Sequence, residues 1–440
     1  MHALFSRRMI IGLALLVVLA LNLTLESVTH LPVHAAPARA SMTLSKVTGP
    51  PTTTLTVKGS GFGSSETVIA TFDHTTIVGS TRTSRLGSFS LGITIPATAL
   101  PGWQSIQATG RRSGLTASRT FRVNTDWSQF GYDRAQSRTN PYENVLSRTN
   151  VSRLTLDWRY PTGSLIYSSP AVVNGVLYIG SEDGSVYALD VKTGTKVWSY
   201  FTGNVTYSSI YSSPVVANGV VYIGSNDWNL YALDARTGTR LWSFATGGNI
   251  ISSPAVVNGV VYIGSYDHSV YALDAKTGTR LWSYTTGYNI YSSPAVVNGV
   301  VYIGSYDNSV YALDARTGTK LWSYATGNVI YTVPAVAHGV VYIGSEDDSV
   351  YAVDAKTGTR LWSYTSGNLI VSSPTVANGV VYVGSYDNTL YALNAKTGIK
   401  LWNYAMGSNV VSSPAVVNGV LYIGSEDFNV YAFHLPGKQP

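Results

Sequence analysis

From Pro170 to Phe433 the apolar and polar positions follow one schedule again and again. In the copy at Pro294, an apolar triplet (Ala295-Val296-Val297) meets Asn298-Gly299, and a second run, Val300 to Gly304, meets the polar Ser305-Tyr306-Asp307-Asn308. A third run, Val310 to Asp314, meets Thr317-Gly318, and a fourth, Lys320 to Tyr324, closes the copy. Short runs rich in β-branched and aromatic residues, punctuated by Gly, Asn and Asp, predict strands and tight turns. Asn-Gly between two such runs is a strong hairpin signal. Each copy therefore reads as four antiparallel strands: an inner strand over Pro294 to Val297, then Val300 to Gly304, Val310 to Asp314, and an outer strand over Lys320 to Tyr324.

The copies begin at Pro170, Pro214, Pro254, Pro294, Pro334, Pro374 and Pro414, a step of 40 residues except for a first step of 44. A unit this small cannot bury its own apolar face, so the copies must stack or close into a ring. The two ends favour the ring. Leu154 to Tyr160 aligns with an outer strand that has no copy before it, and the seventh copy stops at His434 without an outer strand of its own. Pairing the N-terminal strand into the last unit accounts for both ends and leaves no open edge between units. The predicted fold is all-β: a seven-bladed β-propeller with N-terminal strand closure over residues 154–435. An open solenoid is the alternative.

The preceding chain divides into three parts. Residues 1–40 carry Arg7-Arg8 ahead of an apolar run from Met9 to Leu25 and then small residues, the layout of a secretory signal peptide. An uncleaved anchor is the alternative, and after cleavage no integral membrane domain is expected. Residues 41–123 hold short strand-like runs between Gly and Pro clusters, the pattern of a small β-sandwich, and residues 124–153 form a polar linker and strap. The net charge of +6 is uneven: residues 41–123 carry 8 Lys and Arg against 2 Asp and Glu, and residues 124–440 carry 18 against 20. No basic run is interleaved with aromatics, so no nucleic-acid partner is expected. The absence of cysteine excludes disulfides and thiolate metal sites. The expected location is extracytoplasmic, secreted or at the cell surface.

Two resemblances follow from particular residues. Gly49 to Phe62, ending Val-Lys-Gly-Ser-Gly-Phe, resembles the opening of bacterial immunoglobulin-like domains of the IPT/TIG kind, which implies a spacer or adhesion module. Six segments, Ala188 to Trp198, Ala232 to Trp242, Ala272 to Trp282, Ala312 to Trp322, Ala352 to Trp362 and Ala392 to Trp402, follow Ala-x-Asp-x-x-Thr-Gly-x-x-x-Trp, with Asn394 for Asp in the last. This pattern resembles the tryptophan-docking motif of the quinoprotein (PQQ-type) propeller repeat. The resemblance implies that Trp158, Trp198, Trp242, Trp282, Trp322, Trp362 and Trp402 dock neighbouring blades together. Dehydrogenases of that superfamily bind PQQ and calcium over the ring axis, with eight blades and a pair of adjacent cysteines. This chain has seven copies and no cysteine.

The chemistry-bearing candidates are sparse. The aspartates Asp183, Asp227, Asp267, Asp307, Asp347, Asp387 and Asp427 recur in every copy, which favours a turn-stabilising role over a metal ring. No His cluster or Ser-His-Asp spacing occurs, so neither catalysis nor a bound metal or cofactor is expected. Differences between copies gather on the second turns and the inter-blade loops, which share one face of an up-and-down ring, and loops of this kind commonly carry binding sites. The candidate ligand face comprises Tyr167, Tyr211, Trp228, Tyr266, Tyr288, Tyr291, Tyr306, Tyr331, Tyr386 and Phe428. Tyrosines offer apolar area with a hydroxyl, so the expected function is a non-catalytic binding or scaffold protein of the bacterial cell envelope, with an envelope protein or cell-wall glycan as partner. A PQQ-dependent dehydrogenase acting on an alcohol or sugar is the alternative.

Overall fold

The structure, a computed structural model, describes residues 39–124, 126, 128, 131, 156, 158–203, 208–417, 420–427 and 429–433. The expected signal peptide, most of the strap and Phe428 lie outside the described residues. Every regular element among the described residues is a β-strand. No helix among them is long and apolar enough to cross a membrane.

The chain divides into two compact units, the smaller built on residues 54–93 and 105–120 and the larger containing 121–433. The N-terminal strands are β1 (Ser41–Leu44), β2 (Thr48–Gly49), β3 (Thr54–Ser60), β4 (Thr67–Phe72), β5 (Thr76–Arg82), β6 (Phe89–Thr94), β7 (Gly102–Gly110) and β8 (Thr116–Val123). They form a three-stranded sheet, β1-β3-β6, and a five-stranded sheet, β2-β8-β7-β4-β5. Alternation along β3, β4 and β7 buries Val57, Val68, Ala70, Ile106 and Ala108, as the period of two requires. Buried Glu66 accepts hydrogen bonds from the Ser113 hydroxyl and from the backbone of Gly63, Arg112 and Ser113. The Ser113 hydroxyl leads these bonds, which together hold its carboxyl near a pKa of about 2 against the opposing effect of burial.

The repeat region is a β-propeller. Copies one to six are each a four-stranded antiparallel sheet with the strands in sequence order. In blade 4 these are Ala295–Val297, Val300–Gly304, Ser309–Asp314 and Lys320–Ala325. The seventh sheet has three strands among the described residues, Ala415–Val417, Val420–Gly424 and Val430–Phe433. The first hairpin turns on Asn298 and Gly299 with φ of 51° and 79°, the paired left-handed conformation that makes Asn-Gly the favoured sequence.

The hydrophobic cores lie between blades rather than within them. One core joins Tyr262, Val270, Ala272 and Trp282 of blade 3 to Val296, Val301, Ile303 and Leu313 of blade 4. Trp282 Nε1 donates to Ala315 O of the next blade at 3.0 Å, and the Tyr262 hydroxyl donates to the same carbonyl at 3.0 Å. Trp198, Trp242, Trp322 and Trp362 repeat the indole bond onto Ala235, Ala275, Ala355 and Ala395. The indole lies against the turn glycine of that next blade: a Cβ on Gly318 would sit 2.6 Å from Trp282. At φ 73°, Gly318 meets two demands at once, a left-handed backbone and the close approach of an indole.

A second glycine column works in the opposite sense. A Cβ on Gly304, at the end of a second strand, would sit 2.3 Å from Ile330, which leads into the following blade and is fully buried. The inner strands are linked through serines, with Ser213 N–H donating to Ser253 Oγ at 3.0 Å and Ser253 N–H to Ser293 Oγ at 2.9 Å.

At the N-terminal end, Trp158 Nε1 donates to Val191 O at 2.9 Å and its ring covers Gly194, the same contact that Trp198, Trp242, Trp282, Trp322 and Trp362 make. Residues 154, 155 and 157 lie outside the described residues, and 158–160 are in no strand, so the expected strand pairing is not among the described contacts. At the other end Trp402 packs edge-on against Phe433 at 5.2 Å and is 40% exposed.

Gly318→Ala and Gly299→Ala separate the two demands on glycine. Both residues have positive φ, but a Cβ on Gly299 meets nothing within 4 Å. Gly299→Ala is expected to cost about 1–2 kcal/mol from backbone strain alone, and Gly318→Ala a further 1–3 kcal/mol, roughly, from overpacking against the indole. Urea unfolding of the two variants measures the difference, and equal losses would show that the indole imposes no constraint.

Candidate functional site

The second turn of blade 4 runs Ser305-Tyr306-Asp307-Asn308, and its aspartate is fully engaged. Asp307 Oδ1 accepts from Ser309 N–H at 3.0 Å. Oδ2 accepts from the Tyr311 hydroxyl at 2.7 Å and from Gly287 N–H of the preceding inter-blade loop at 2.6 Å. Asp183, Asp267, Asp387 and Asp427 repeat the three bonds. Burial opposes ionisation of Asp183, but the bonds from Tyr187, Gly163 and Ser185 outweigh it and lower its pKa. These carboxylates tie each turn to the blade before it. Among the described residues no group of three or more His, Cys, Asp or Glu is placed to hold a metal.

The next column, Gly184, Trp228, His268, Asn308, Asp348 and Asn388, has φ between 67° and 81° throughout. Gly, Asn, Asp and His are the residues that tolerate a left-handed backbone, so much of the variation that sequence comparison finds here obeys one shared conformational rule. Trp228 departs from it. A bulky side chain at φ 74° is strained. It is 52% exposed, and its indole donates to Asn249 Oδ1 at 2.9 Å.

The column before the aspartate reads Glu182, Asn226, Tyr266, Tyr306, Glu346, Tyr386 and Glu426. Each backbone N–H bonds to a carbonyl of the preceding inter-blade loop, as Tyr306 does to Asn289 at 2.9 Å. Tyr291 stacks on Tyr306 at 4.6 Å and lies 4.5 Å from Tyr266, while Tyr331 meets Tyr306 at 4.6 Å and Tyr291 at 5.1 Å. Beside this cluster, Tyr167 packs on Tyr211 at 5.2 Å, and the Tyr211 hydroxyl donates to Glu182 at 2.6 Å. The Glu182 bond is the main reason the Tyr211 pKa rises to about 12, and both Tyr167 and Tyr291 add to it. Tyr211 leads into blade 2 and Tyr291 into blade 4, and the two are near enough for Tyr291 to raise the Tyr211 pKa.

Three buried side-chain polar atoms among the described residues have no hydrogen-bond partner: Asn226 Oδ1, Tyr266 OH and Tyr306 OH. All three belong to this one column. Burial raises the pKa of Tyr306, and the hydroxyls of Tyr331 and Tyr291, which come near it without forming a well-aligned bond, raise it further; burial alone raises that of Glu346. Tyr386 is raised by burial and then by the carboxylates of Glu426 and Glu346.

Of the residues expected on the ligand face, Tyr266, Tyr291, Tyr306 and Tyr331 form the axial cluster and Tyr167 and Tyr211 adjoin it. Tyr386 sits within the electrostatic reach of Tyr331. Trp228 and Tyr288 lie apart on the turns, Tyr288 stacked on His268 at 5.3 Å. Selecting aromatics misses Glu182, Asn226, Glu346 and Glu426, which share the column with the tyrosines. Their position in the repeat was the available signal.

Comparison with known proteins gives the wider context. Residues 106–243, 204–290, 227–333 and 329–439 match the PQQ_2 profile, described as outer membrane protein assembly factor BamB. The chain belongs to this family. Among curated relatives, a 1-butanol dehydrogenase (cytochrome c) of Thauera butanivorans is 32% identical over 88 residues, 20% of this chain and 13% of that protein. A quinohemoprotein alcohol dehydrogenase of Comamonas testosteroni is 30% identical over 102 residues, 23% of this chain and 14% of that protein. The matches thus span under one sixth of either relative. Among solved structures, BamB from Moraxella catarrhalis superposes with a TM-score of 0.57 at 22% identity, over 64% of this chain and 88% of that one. The computationally designed Ika8 protein superposes at 0.55 and 16% identity, over 89% of this chain and 99% of that one. At such identities these likenesses speak to the propeller fold alone.

Removing the buried, unpartnered Tyr306 hydroxyl relieves a desolvation cost. Tyr306→Phe is expected to leave stability unchanged or raise it by up to about 1 kcal/mol in urea unfolding. A loss above about 1 kcal/mol would mean that the hydroxyl has a structural partner.

Proposed function

We propose that this chain is an exported, non-catalytic binding or scaffold protein of the cell envelope, and that its second-turn face receives a protein or glycan partner at the ring axis. The observation that carries this reading is the concentration of unsatisfied polar atoms in one column. Buried polar groups are nearly always paired in native proteins, and here the three exceptions among the described residues share one column, two of them, Tyr266 and Tyr306, where aromatic rings converge. The strained, half-exposed Trp228 adds a second contact on the same face. In this reading residues 1–40 are the export signal and residues 41–123 an immunoglobulin-like spacer, followed by a strap over 124–153. Trp158, Trp198, Trp242, Trp282, Trp322, Trp362 and Trp402 hold the blades together and take no part in binding.

The stretches shared with alcohol dehydrogenases keep a PQQ-dependent dehydrogenase as the second reading. PQQ is a tricarboxylated quinone and asks for cations and donors. All twelve Lys and Arg between residues 161 and 433 fall in the third turns or at the start of the outer strands. The opposite side, with the axial column, holds eleven of the sixteen Asp and Glu of that region. This donor set does not fit PQQ, and we derive no chemistry through it.

The test replaces Trp228, Tyr266 and Tyr306 by Ala and compares capture from native envelope fractions with that of the unaltered chain. The scaffold reading expects at least a tenfold loss of the captured partner with the fold intact by circular dichroism. Unchanged capture contradicts it, as does quinone absorbance with dye-linked alcohol oxidation after addition of PQQ and calcium.

A further inference from the structure

The charges of the blades are sorted by side. In blade 3 the third turn lies beside the first, joined by the Ala275 N–H bond to Gly259 O at 2.9 Å, and the other blades up to the sixth repeat this link. First and third turns therefore share one side of the ring. Each third turn carries one Lys or Arg and each outer strand opens with another, Lys276 and Arg280 in blade 3. Six blades thus place twelve cations on this side, against five aspartates. All twelve are exposed, and none has a side-chain hydrogen bond or ion pair to another described residue. The aspartates are engaged within their own turns: Asp274 Oδ1 accepts from Lys276 N–H, Thr277 N–H and the Thr277 hydroxyl.

Two features say what this side is suited to meet. The turn position reads Lys192, Arg236, Lys276, Arg316, Lys356 and Lys396. Lys and Arg are not interchangeable where a fixed hydrogen-bond geometry is required, so their alternation keeps the charge and no particular geometry. The second-turn column, on the opposite side, keeps neither, with Gly184, His268 and Asp348 at one position. The second feature is apolar. Leu241, Leu281, Leu321 and Leu361 each follow a strand-opening cation and are 51–52% exposed. Successive side chains of a strand point to opposite faces, so Leu281 points away from the joint that Trp282 fills, and these leucines belong to none of the described inter-blade cores. Packing between blades does not require them.

Mobile phosphates above an apolar interior match both features. Basic residues near an anionic lipid surface gain from its potential, and apolar side chains at the headgroup boundary add to the binding. A soluble polyanion would use the cations and gain nothing from the leucines. We propose that the third-turn side of the propeller docks on an anionic phospholipid surface, its cations at the headgroup phosphates and Leu241, Leu281, Leu321 and Leu361 at the boundary with the acyl chains. This goes beyond the binding reading and does not rest on it, because it leaves the acidic second-turn side facing away from the lipid.

The test uses residues 39–440, which hold every described element, so that the apolar run of residues 9–25 cannot itself enter a bilayer. Sedimentation with vesicles of phosphatidylglycerol and phosphatidylcholine in equal parts is compared with vesicles of phosphatidylcholine alone. Binding is expected to the anionic vesicles only. It is expected to disappear as NaCl rises from about 0.1 M to about 1 M, which shortens the screening length from about 10 Å to about 3 Å. A blade variant (Lys276→Gln, Arg280→Gln, Arg316→Gln, Lys320→Gln) is expected to bind at least about tenfold more weakly. A second variant (Lys58→Gln, Arg82→Gln, Arg85→Gln, Arg119→Gln) removes the same charge from the N-terminal module and is expected to lose less than about threefold. All eight side chains are exposed, so both variants are expected to keep the fold by circular dichroism. Absence of binding to the anionic vesicles overturns the proposal, as does undiminished binding by the blade variant or an equal loss in the second. Leu281→Ser with Leu321→Ser is expected to weaken vesicle binding. Vesicle binding untouched by those leucine changes, or soluble polyphosphate bound in preference to vesicles, assigns the cations to a polyanion and overturns the lipid reading. Envelope capture through the second-turn side is a separate measurement, so the two readings fail independently.

Discussion

The propeller depends on one inter-blade contact: an indole and a phenol from one blade converging on a single carbonyl of the next, over a glycine that cannot be anything larger. Trp282 and Tyr262 meet Ala315 O, and Gly318 leaves room for the ring. Each sheet is too small to bury both of its faces, so stability resides at these joints, where the cores form between blades. The turn aspartates serve the same end from the other side of the ring. Asp307 fixes its own turn and reaches back to Gly287 of the preceding loop. Glycine appears at the joints for two different contacts, under Trp282 at Gly318 and under Ile330 at Gly304.

Because the joints are made by repeated residues, other columns are released from structural work. The column of Glu182, Asn226, Tyr266, Tyr306, Glu346, Tyr386 and Glu426 contributes its backbone N–H to the fold, and its side chains differ from blade to blade. Charge follows the same division. The blade cations stand on the third turns and outer strands, and most carboxylates stand on the side of the second turns. A ring polarised in this way presents different chemistry on its two faces while using one repeated scaffold.

Much of this was legible in the sequence. Strand order, the turn at Asn298-Gly299 and the four strands of each blade follow from periodicity and turn residues, with the inner strand one residue shorter than expected and the third and outer strands one residue longer. The docking motif was visible, but its geometry was not. That one carbonyl serves both Trp282 and Tyr262 depends on how blades pack, which spacing alone does not encode. The second-turn column misled in a physical way: positive φ at Asn308, Asp348 and His268 restricts the choice of residue, and a conformational rule resembled functional variety. Conversely, the preference for aromatics passed over Asn226 and Glu346, whose importance emerges only from their missing partners.

The central claim is that inter-blade docking residues hold the ring while the axial column is free to serve a ligand. Comparing urea unfolding of Trp322→Phe, which keeps an aromatic ring and deletes the indole N–H, with that of a triple variant (Asn226→Ala, Tyr306→Phe, Glu346→Gln) tests it directly. A loss of about 1–3 kcal/mol is expected for Trp322→Phe, which removes one of the two donors to Ala355 O and part of a buried ring, and less than about 1 kcal/mol for the triple variant. A triple variant that unfolds as readily as Trp322→Phe, or more so, would contradict it.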